Sequence, residues 1–178
     1  MDKEILLKAK NGDKESLALI FDLYNNRIYR YAYIRVHNQA LAEDLASMVF
    51  IKLLENIKKL DLSKNFEAWL FTITRNTLID LHRKNKFVSG NDLIDFAKDA
   101  VDHSEKAEII ILIEQVKKCF NDLKVEEKDV IELTYFAELS DSEISEIINK
   151  PVGNIRVIRY RALQKLKSLI NTNRSGNK

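Results

Sequence analysis

Only four glycines and one proline punctuate the 178 residues of this chain. Average usage would supply about 12% of these two types together. Sandwiches, barrels and glycine-looped nucleotide folds need many more tight turns than five such residues can make, so the chain must fold as helices. Hydrophobic residues at 46% suffice to bury a core and exclude disorder, while 31% charged residues require solvated helix faces to carry them. The expectation is a soluble, all-α protein of one ordinary domain or two small ones.

Chemistry that depends on clustered ligands is not signalled. Cys119 is the single cysteine, so no internal disulfide is available, and His37, His82 and His103 lie too far apart for a short ligand motif. No metal and no cofactor is expected. No Ser/His/Asp order or phosphate loop appears and the carboxylates are scattered over helix faces, so no catalytic residues and no enzyme are expected. Residues 1–16 mix acids with lysines instead of forming a charged-then-apolar leader, and the longest purely apolar run is Ile109 to Ile113. Membrane insertion is not expected, and the chain should stay in the cytoplasm.

The net charge of +2 conceals a polarity. No acid follows Glu146, and Lys150, Arg156, Arg159, Arg161, Lys165, Lys167, Arg174 and Lys178 give that end +8 against −6 over residues 1–146. A basic end on an acidic protein is a common footprint of nucleic-acid binding, because each neutralised phosphate releases counterions. A solvated helix face would carry the same charges, so pattern must separate the two.

Helical periodicity runs from Asp13 to Val36 through Leu17, Ile20, Phe21, Tyr24, Ile28, Tyr31 and Ala32, and is interrupted at Asn38-Gln39. A second helix, about Leu41 to Ile57, carries Leu41, Leu45, Val49, Leu53 and Ile57 at four-residue steps as a core stripe. Lys58 to Asn65 breaks the pattern. A third helix from Phe66 to about Lys84 turns Phe66, Leu70, Ile73 and Leu81 inward, and Trp69 reads as core beside them. Residues 1–86 thus form one helical domain. Residues 87–108 hold six acids against two lysines with no sustained period, and read as a linker. A second domain spans 109–172, followed by a tail at 173–178, with helices at Ile109 to Phe120 and Glu126 to Phe136.

That second domain ends in a recognisable device. Ser140 followed by Glu143 fits a capping box ahead of a short helix faced by Ile144, Ile147 and Ile148. Asn149 to Gly153 makes a turn, with Pro151 suited to a first helical turn. A last helix then runs to about Ile170. Short helix, turn and long basic helix is the pattern of a helix-turn-helix. At 100° per residue, Ile155, Ile158, Ala162 and Leu166 face inward, while Val157, Tyr160 and Gln164 face out. Such a motif reads bases with the start of its second helix and holds phosphates with its flanks. Asn154, Arg156, Val157 and Tyr160 are therefore the base-edge candidates, and Arg159, Arg161 and Lys165 the backbone candidates.

These residues carry a resemblance. Pro151-Val152-Gly153-Asn154-Ile155-Arg156, with Glu143-Ile144 before it and Arg161-Ala162 after, resembles the PVGTVKSRLHRA segment in region 4 of extracytoplasmic-function sigma factors of bacterial RNA polymerase. Ala42-Glu43-Asp44-Leu45 through Val49-Phe50 is similar to that family's region 2.2 signature, AEDLxQxVF. Phe66-Glu67-Ala68-Trp69-Leu70 with Ile73, Arg75-Asn76, Asp80 and Arg83 is similar to its FxAWLxxIARNxxxDxxR segment, and Gly12-Asp13 with Tyr24 to Tyr31 fits region 2.1. The segments occur in the family's order and cover most of the chain. Four positions depart: Ser47 stands where the family usually has Gln, Asn154 where it has Thr, and Ile158-Arg159 reverses the Arg-Leu order.

The resemblance implies a two-domain sigma factor of a stress or envelope-response regulon, binding core RNA polymerase through its β′ and β subunits and directing promoter recognition and initiation. The family's docking helix implies a polymerase contact at Asp44, Ser47, Met48, Ile51 and Glu55. Its melting region implies minus-ten contacts at Lys58, Lys59, Lys64 and Asn65, where a loop captures a flipped base, and along Arg75, Asn76, Ile79, Arg83 and Lys86. Its region 4 implies minus-thirty-five contacts from Asn154, Arg156, Val157, Arg159, Tyr160, Arg161 and Lys165. An anti-sigma factor is the expected regulatory partner. The alternative is a sigma-like helix-turn-helix regulator that does not drive initiation, which would have no use for the docking strip.

Overall fold

A computed structural model describes residues 1–84, 120 and 122–175, apart from the side chains of 82, 84 and 169–175. The expected linker at 87–108, most of the expected helix at 109–120, and Lys86 lie outside the described residues. Among those described there are seven α-helices, one 3-10 turn and no strand.

Four helices build the N-terminal unit: α1 (Lys3–Lys10), α2 (Lys14–Val36), α3 (Gln39–Asn56) and α4 (Phe66–Lys84), with a 3-10 turn at Ile57–Lys59. The sequence had given no sign of α1, whose Leu6 and Ala9 are buried and whose Lys10 Nζ donates to the Leu60 carbonyl at 2.5 Å. Gly12, at φ +87°, makes the turn that a side chain would strain. Asp13 then caps α2, accepting from the Ser16 amide at 2.9 Å. His37 closes α2 in the left-handed region, and Asn38 caps α3 by accepting from the Leu41 amide at 2.9 Å. The expected α3 stripe packs inward, with Leu45, Val49 and Leu53 fully buried and Ile57 extending it into the 3-10 turn. Phe21, expected in the α2 stripe, is instead 45% exposed and lies 4.7 Å from the Phe50 ring.

Three helices build the C-terminal unit: α5 (Val125–Tyr135), α6 (Asp141–Ile148) and α7 (Val152–Ser175). The capping box forms, with the Ser140 amide donating to Glu143 at 2.7 Å and the Glu143 amide to Ser140 Oγ at 3.4 Å. Asn149 ends α6 in the left-handed conformation that Asn tolerates. Pro151 sits just ahead of α7, where its carbonyl accepts from the Asn154 and Ile155 amides and its missing N–H costs nothing. Ile155 and Ala162 are buried and Ile158 and Leu166 half-buried, as their angles predict. The helix runs five residues past the expected end at Ile170.

The two units share one hydrophobic core. Val130, Leu133, Ala137, Leu139, Ile144 and Ile155 of the C-terminal unit join the cluster that holds Tyr31, Leu70 and Phe71 of the N-terminal unit. The core stripe and the opposite face of α3 make a direct contrast. Leu53→Ala should cost about 2–5 kcal/mol, the range for deleting a buried leucine side chain. Ile51→Ala, on the exposed face, should change stability by less than about 0.5 kcal/mol. Urea midpoints of the two variants check this, and equal losses would show that α3 is rotated from the orientation described.

Candidate nucleic-acid and protein interfaces

The outward face of α7 is set by the helix angle and by the turn that starts it. Asn154, Arg156, Val157, Tyr160 and Arg161 are exposed, with Tyr160 at 64% and Val157 at 46%. Two large side chains open to water on an otherwise polar face have no packing role here. Arg159 and Lys165 are half-buried and already engaged. Asp141, at the start of α6, forms ion pairs with Arg159 and with Arg156 Nε, the latter at 3.1 Å. Burial works against the Asp141 charge, but the hydrogen bonds from Arg159 and Arg156 outweigh it and hold the carboxyl below its usual range. Asp141 thereby braces the two helices of the motif. Lys165 pairs with Glu127 of α5 at 3.8 Å.

A cleft of about 350 Å³ opens between α3, the 3-10 turn and α4, lined by Lys52, Asn56, Lys59, Trp69, Ile73 and Asn76. Its size falls within the range of about 300–1,000 Å³ typical of small-ligand sites. Trp69, expected as core, is half-buried: its ring lies 5.9 Å from Phe66, and the side chain also lines the cleft. The cleft's polar lining is Lys52, whose Nζ donates to Thr77 Oγ1 at 3.0 Å, with Asn56, Lys59 and Asn76. Lys58, Lys59 and Lys64 are exposed nearby in sequence, as are Asn76 and Arg83, while Ile79 is half-buried. Lys52 and Asn56 carry no local signal of a site, because they belong to α3 and reach the cleft only through the packing of α3 on α4. Asn65 has a structural task, capping α4 by accepting from the Ala68 amide at 2.9 Å.

Along α3, Asp44, Ser47, Met48, Ile51 and Glu55 are all exposed, with Ile51 at 56% and Leu54, next to Glu55 but absent from the expected strip, at 53%. Apolar side chains left open between carboxylates on a fully packed helix make a candidate protein-docking strip.

Arg75, one of the minus-ten candidates, is engaged within the protein. It donates to Asp129 Oδ2 at 2.8 Å, and Arg35 donates to Asp129 Oδ1 at 2.5 Å, so one carboxylate of α5 bridges α2 and α4. Arg35 also pairs with Glu132 and lies 4.6 Å over the Tyr31 ring. Nearby, Arg27 donates to the Ala137 and Glu138 carbonyls at 2.9 and 3.0 Å, and Arg30 pairs with the Glu138 carboxylate at 2.7 Å. Glu138 adopts a left-handed φ of 55°, which turns these consecutive carbonyls toward α2. Burial pushes the Glu132 carboxyl up from 4.5 to about 7, and Asp129 adds to this; Arg35 and Lys128 pull it back without cancelling it.

Residues 20–88 match Sigma-70 region 2 and residues 119–168 match Sigma-70, region 4. The chain is 31% identical over 178 aligned positions to the ECF RNA polymerase sigma factor SigW of Bacillus subtilis, covering 94% of this chain and 95% of that protein. It is 32% identical to SigM of the same organism, covering 85% and 93%. Among solved structures, CnrH in complex with the cytosolic domain of CnrY shares the fold at a TM-score of 0.71 and 18% identity, covering 96% and 97%. The sigma factor RpoE in complex with the anti-sigma factor NepR from Bartonella quintana does so at 0.63 and 19%, covering 86% and 96%.

The raised Glu132 carboxyl sets a pH dependence. Between 4.5 and about 7 the folded chain holds a proton that the unfolded chain releases, so this contribution to stability is complete below 4.5 and fades as pH rises through 7. The difference should amount to about 1–3 kcal/mol. Urea unfolding of wild type and Glu132→Gln at pH 5.5 and pH 8 isolates it. The variant should lose the pH-dependent part, whereas parallel changes in both proteins would mean that Glu132 titrates normally.

Proposed function

The chain belongs to the extracytoplasmic-function RNA polymerase sigma factors of the sigma-70 family, a sigma factor directing transcription initiation, and from that premise we propose which surfaces do the work. The α3 strip of Asp44, Ser47, Met48, Ile51 and Glu55 docks on core RNA polymerase. The cleft beside α4 receives a base of the opened minus-ten strand, with Trp69 as its stacking wall, Asn56 and Asn76 as base-edge partners, and Lys58, Lys59, Lys64 and Arg83 along the phosphates. The outward face of α7 enters the major groove of the minus-thirty-five element, where Asn154, Val157 and Tyr160 meet bases and Arg161 meets the backbone. Arg156 reaches a base edge by leaving Asp141, and Arg159 and Lys165 serve as backbone contacts close to their present partners.

The observation that carries this reading is the exposure of Ile51 and Met48 between Asp44 and Glu55, on a helix whose other face buries Leu45, Val49 and Leu53. A DNA-binding regulator gains nothing from that strip. The chain performs no covalent chemistry in this scheme, since polymerase makes the bonds. No described helix is long and apolar enough to cross a membrane, and we place the protein in the cytoplasm with the polymerase. An anti-sigma protein is its regulatory partner, a reading prompted by the complexes in which CnrH and RpoE were solved.

Transcription in vitro with purified core polymerase, on the promoter upstream of the chain's own gene and on other candidate promoters, tests the proposal. A promoter-dependent transcript is expected, with Ile51→Asp lowering polymerase capture at least about tenfold, equivalent to 1.4 kcal/mol, while the melting curve stays unchanged. No transcript from any promoter would overturn it. On duplex DNA, Tyr160→Ala should cost about 1–3 kcal/mol at one base pair and relax preference there, whereas Arg161→Ala should weaken all sequences alike and lower the salt slope by about one. Identical behaviour of the two would undo the division of the helix face.

A further inference from the structure

Lys52 lines the cleft beside α4 from the α3 side. Its ammonium donates to Thr77 Oγ1 at 3.0 Å, and the Thr77 hydroxyl spends its one proton on the Ile73 carbonyl at 2.8 Å. That hydroxyl can therefore only accept from Lys52. Thr77 is 1% exposed, so water does not compete for it. Asp80 Oδ2 lies 4.0 Å from the ammonium, too far for a hydrogen bond. Lys52 is thus tethered from α3 to α4, unlike the exposed Lys58, Lys59 and Lys64. An ammonium has three protons, and the two that Thr77 leaves are free to serve whatever fills the cleft.

Asn56, one helical turn on from Lys52, is fixed in the opposite sense. Its Nδ2 donates to the Lys52 carbonyl at 2.8 Å, which sets the orientation of the carboxamide and leaves Oδ1 as its acceptor. The cleft therefore offers a tethered cationic donor and a fixed acceptor beside Trp69. Of the four bases, adenine alone has no carbonyl oxygen: its acceptors are ring nitrogens and its donor is an amino group. That amino group flanks the ring nitrogen on both the Watson–Crick and the Hoogsteen edge, so its protons face an approaching ammonium. Guanine, thymine and cytosine each pair a carbonyl oxygen with an N–H group, and a hydrogen bond from a charged donor to such an oxygen is about twice as strong as a neutral one.

We propose that Lys52, positioned by Thr77, is a specificity-determining residue of the cleft. It donates to a carbonyl oxygen of the captured base, Asn56 Oδ1 accepts from an N–H of the same base, and adenine is selected against. This rests on the reading of the cleft as the site of base capture and adds which bases it takes. Lys52 acts on base identity, whereas Lys58, Lys59 and Lys64 act on phosphates and are blind to sequence.

The test uses the full chain and single strands of about ten nucleotides, abasic at every position except one that carries adenine, cytosine, guanine or thymine. A fifth strand carries no base. Trp69 is the single tryptophan of the chain, so stacking in the cleft is read directly as quenching of its emission, and anisotropy of the labelled strand gives affinity. Each carbonyl-bearing base should bind about fivefold or more tighter than adenine, the lower end of what one good base contact discriminates. Thr77→Val and Lys52→Met should each erase this ratio while the baseless strand binds close to wild type. Thr77→Val keeps the charge of Lys52 and removes the oxygen that holds it, so a role through charge alone would leave the ratio intact. Lys52 is partly exposed, so Lys52→Met keeps the test informative if Thr77→Val fails to fold. Equal affinity for all four bases, a preference for adenine, or no quenching by any strand would overturn the proposal. Equal weakening of every strand by Lys52→Met, the baseless one included, would also overturn it by placing Lys52 on phosphate. Transcription with core polymerase in parallel separates the two levels. Promoter-dependent transcript alongside any of those results would sink the role of Lys52 alone, and absence of transcript from any promoter would sink the sigma reading.

Discussion

Asp129 is the point on which the arrangement of the molecule turns. Its two oxygens accept from Arg35 and Arg75 on different helices of the N-terminal unit, so one side chain of α5 fixes the position of the C-terminal unit against both. A buried ion pair is a weak source of net stability, because desolvation offsets most of its attraction. The favourable energy of the seam comes instead from apolar burial, with Leu133, Ala137, Leu139 and Ile144 joining Tyr31 and Phe71 in a common core. The charges specify which surfaces meet. Among the described residues, the Nε atoms of Arg30, Arg35 and Arg75 have no acceptor.

The same logic operates inside the helix-turn-helix. Asp141 holds Arg156 and Arg159 as Asp129 holds Arg35 and Arg75, a carboxylate standing between two guanidiniums. Arg156 remains largely exposed, whereas Arg159 is more enclosed and joins α6 to α7. On α3, by contrast, the exposed strip has no intramolecular partner of this kind in the arrangement described, and its apolar residues face outward while the seam is closed.

Much of this was legible in the chain. The stripe at Leu45, Val49 and Leu53 follows from spacing alone, because a helix with one apolar row has only one way to bury it. Ser140, Glu143, Asn149 and Pro151 likewise announce the helix-turn-helix through capping chemistry confined to a few neighbouring residues. What escaped was set by partners distant in sequence. Arg75 looked like part of a DNA-facing row with Asn76 and Arg83, and nothing local says that Asp129, 54 residues away, would claim it. Asn65 looked like a base-edge contact, yet its nearest unmet amide belonged to its own helix. Phe21 fits the α2 stripe by spacing, but the packing of α3 leaves it paired with Phe50 at the surface. Helix α1 is only eight residues long and half charged, too short to declare a period before Leu6 and Ala9 find a surface to pack on.

A single distance bears most directly on whether one chain alternates between a closed form and a promoter-reading form. Dyes placed on the exposed ends of α3 and α7 would report the separation of the two units by energy transfer, first in the free chain and then with core polymerase and promoter DNA. High transfer is expected in the free chain and a large fall in the initiation complex, as the units separate to span about 85 Å of duplex at about 3.4 Å per base pair. Undiminished transfer in a complex that makes transcript would contradict it.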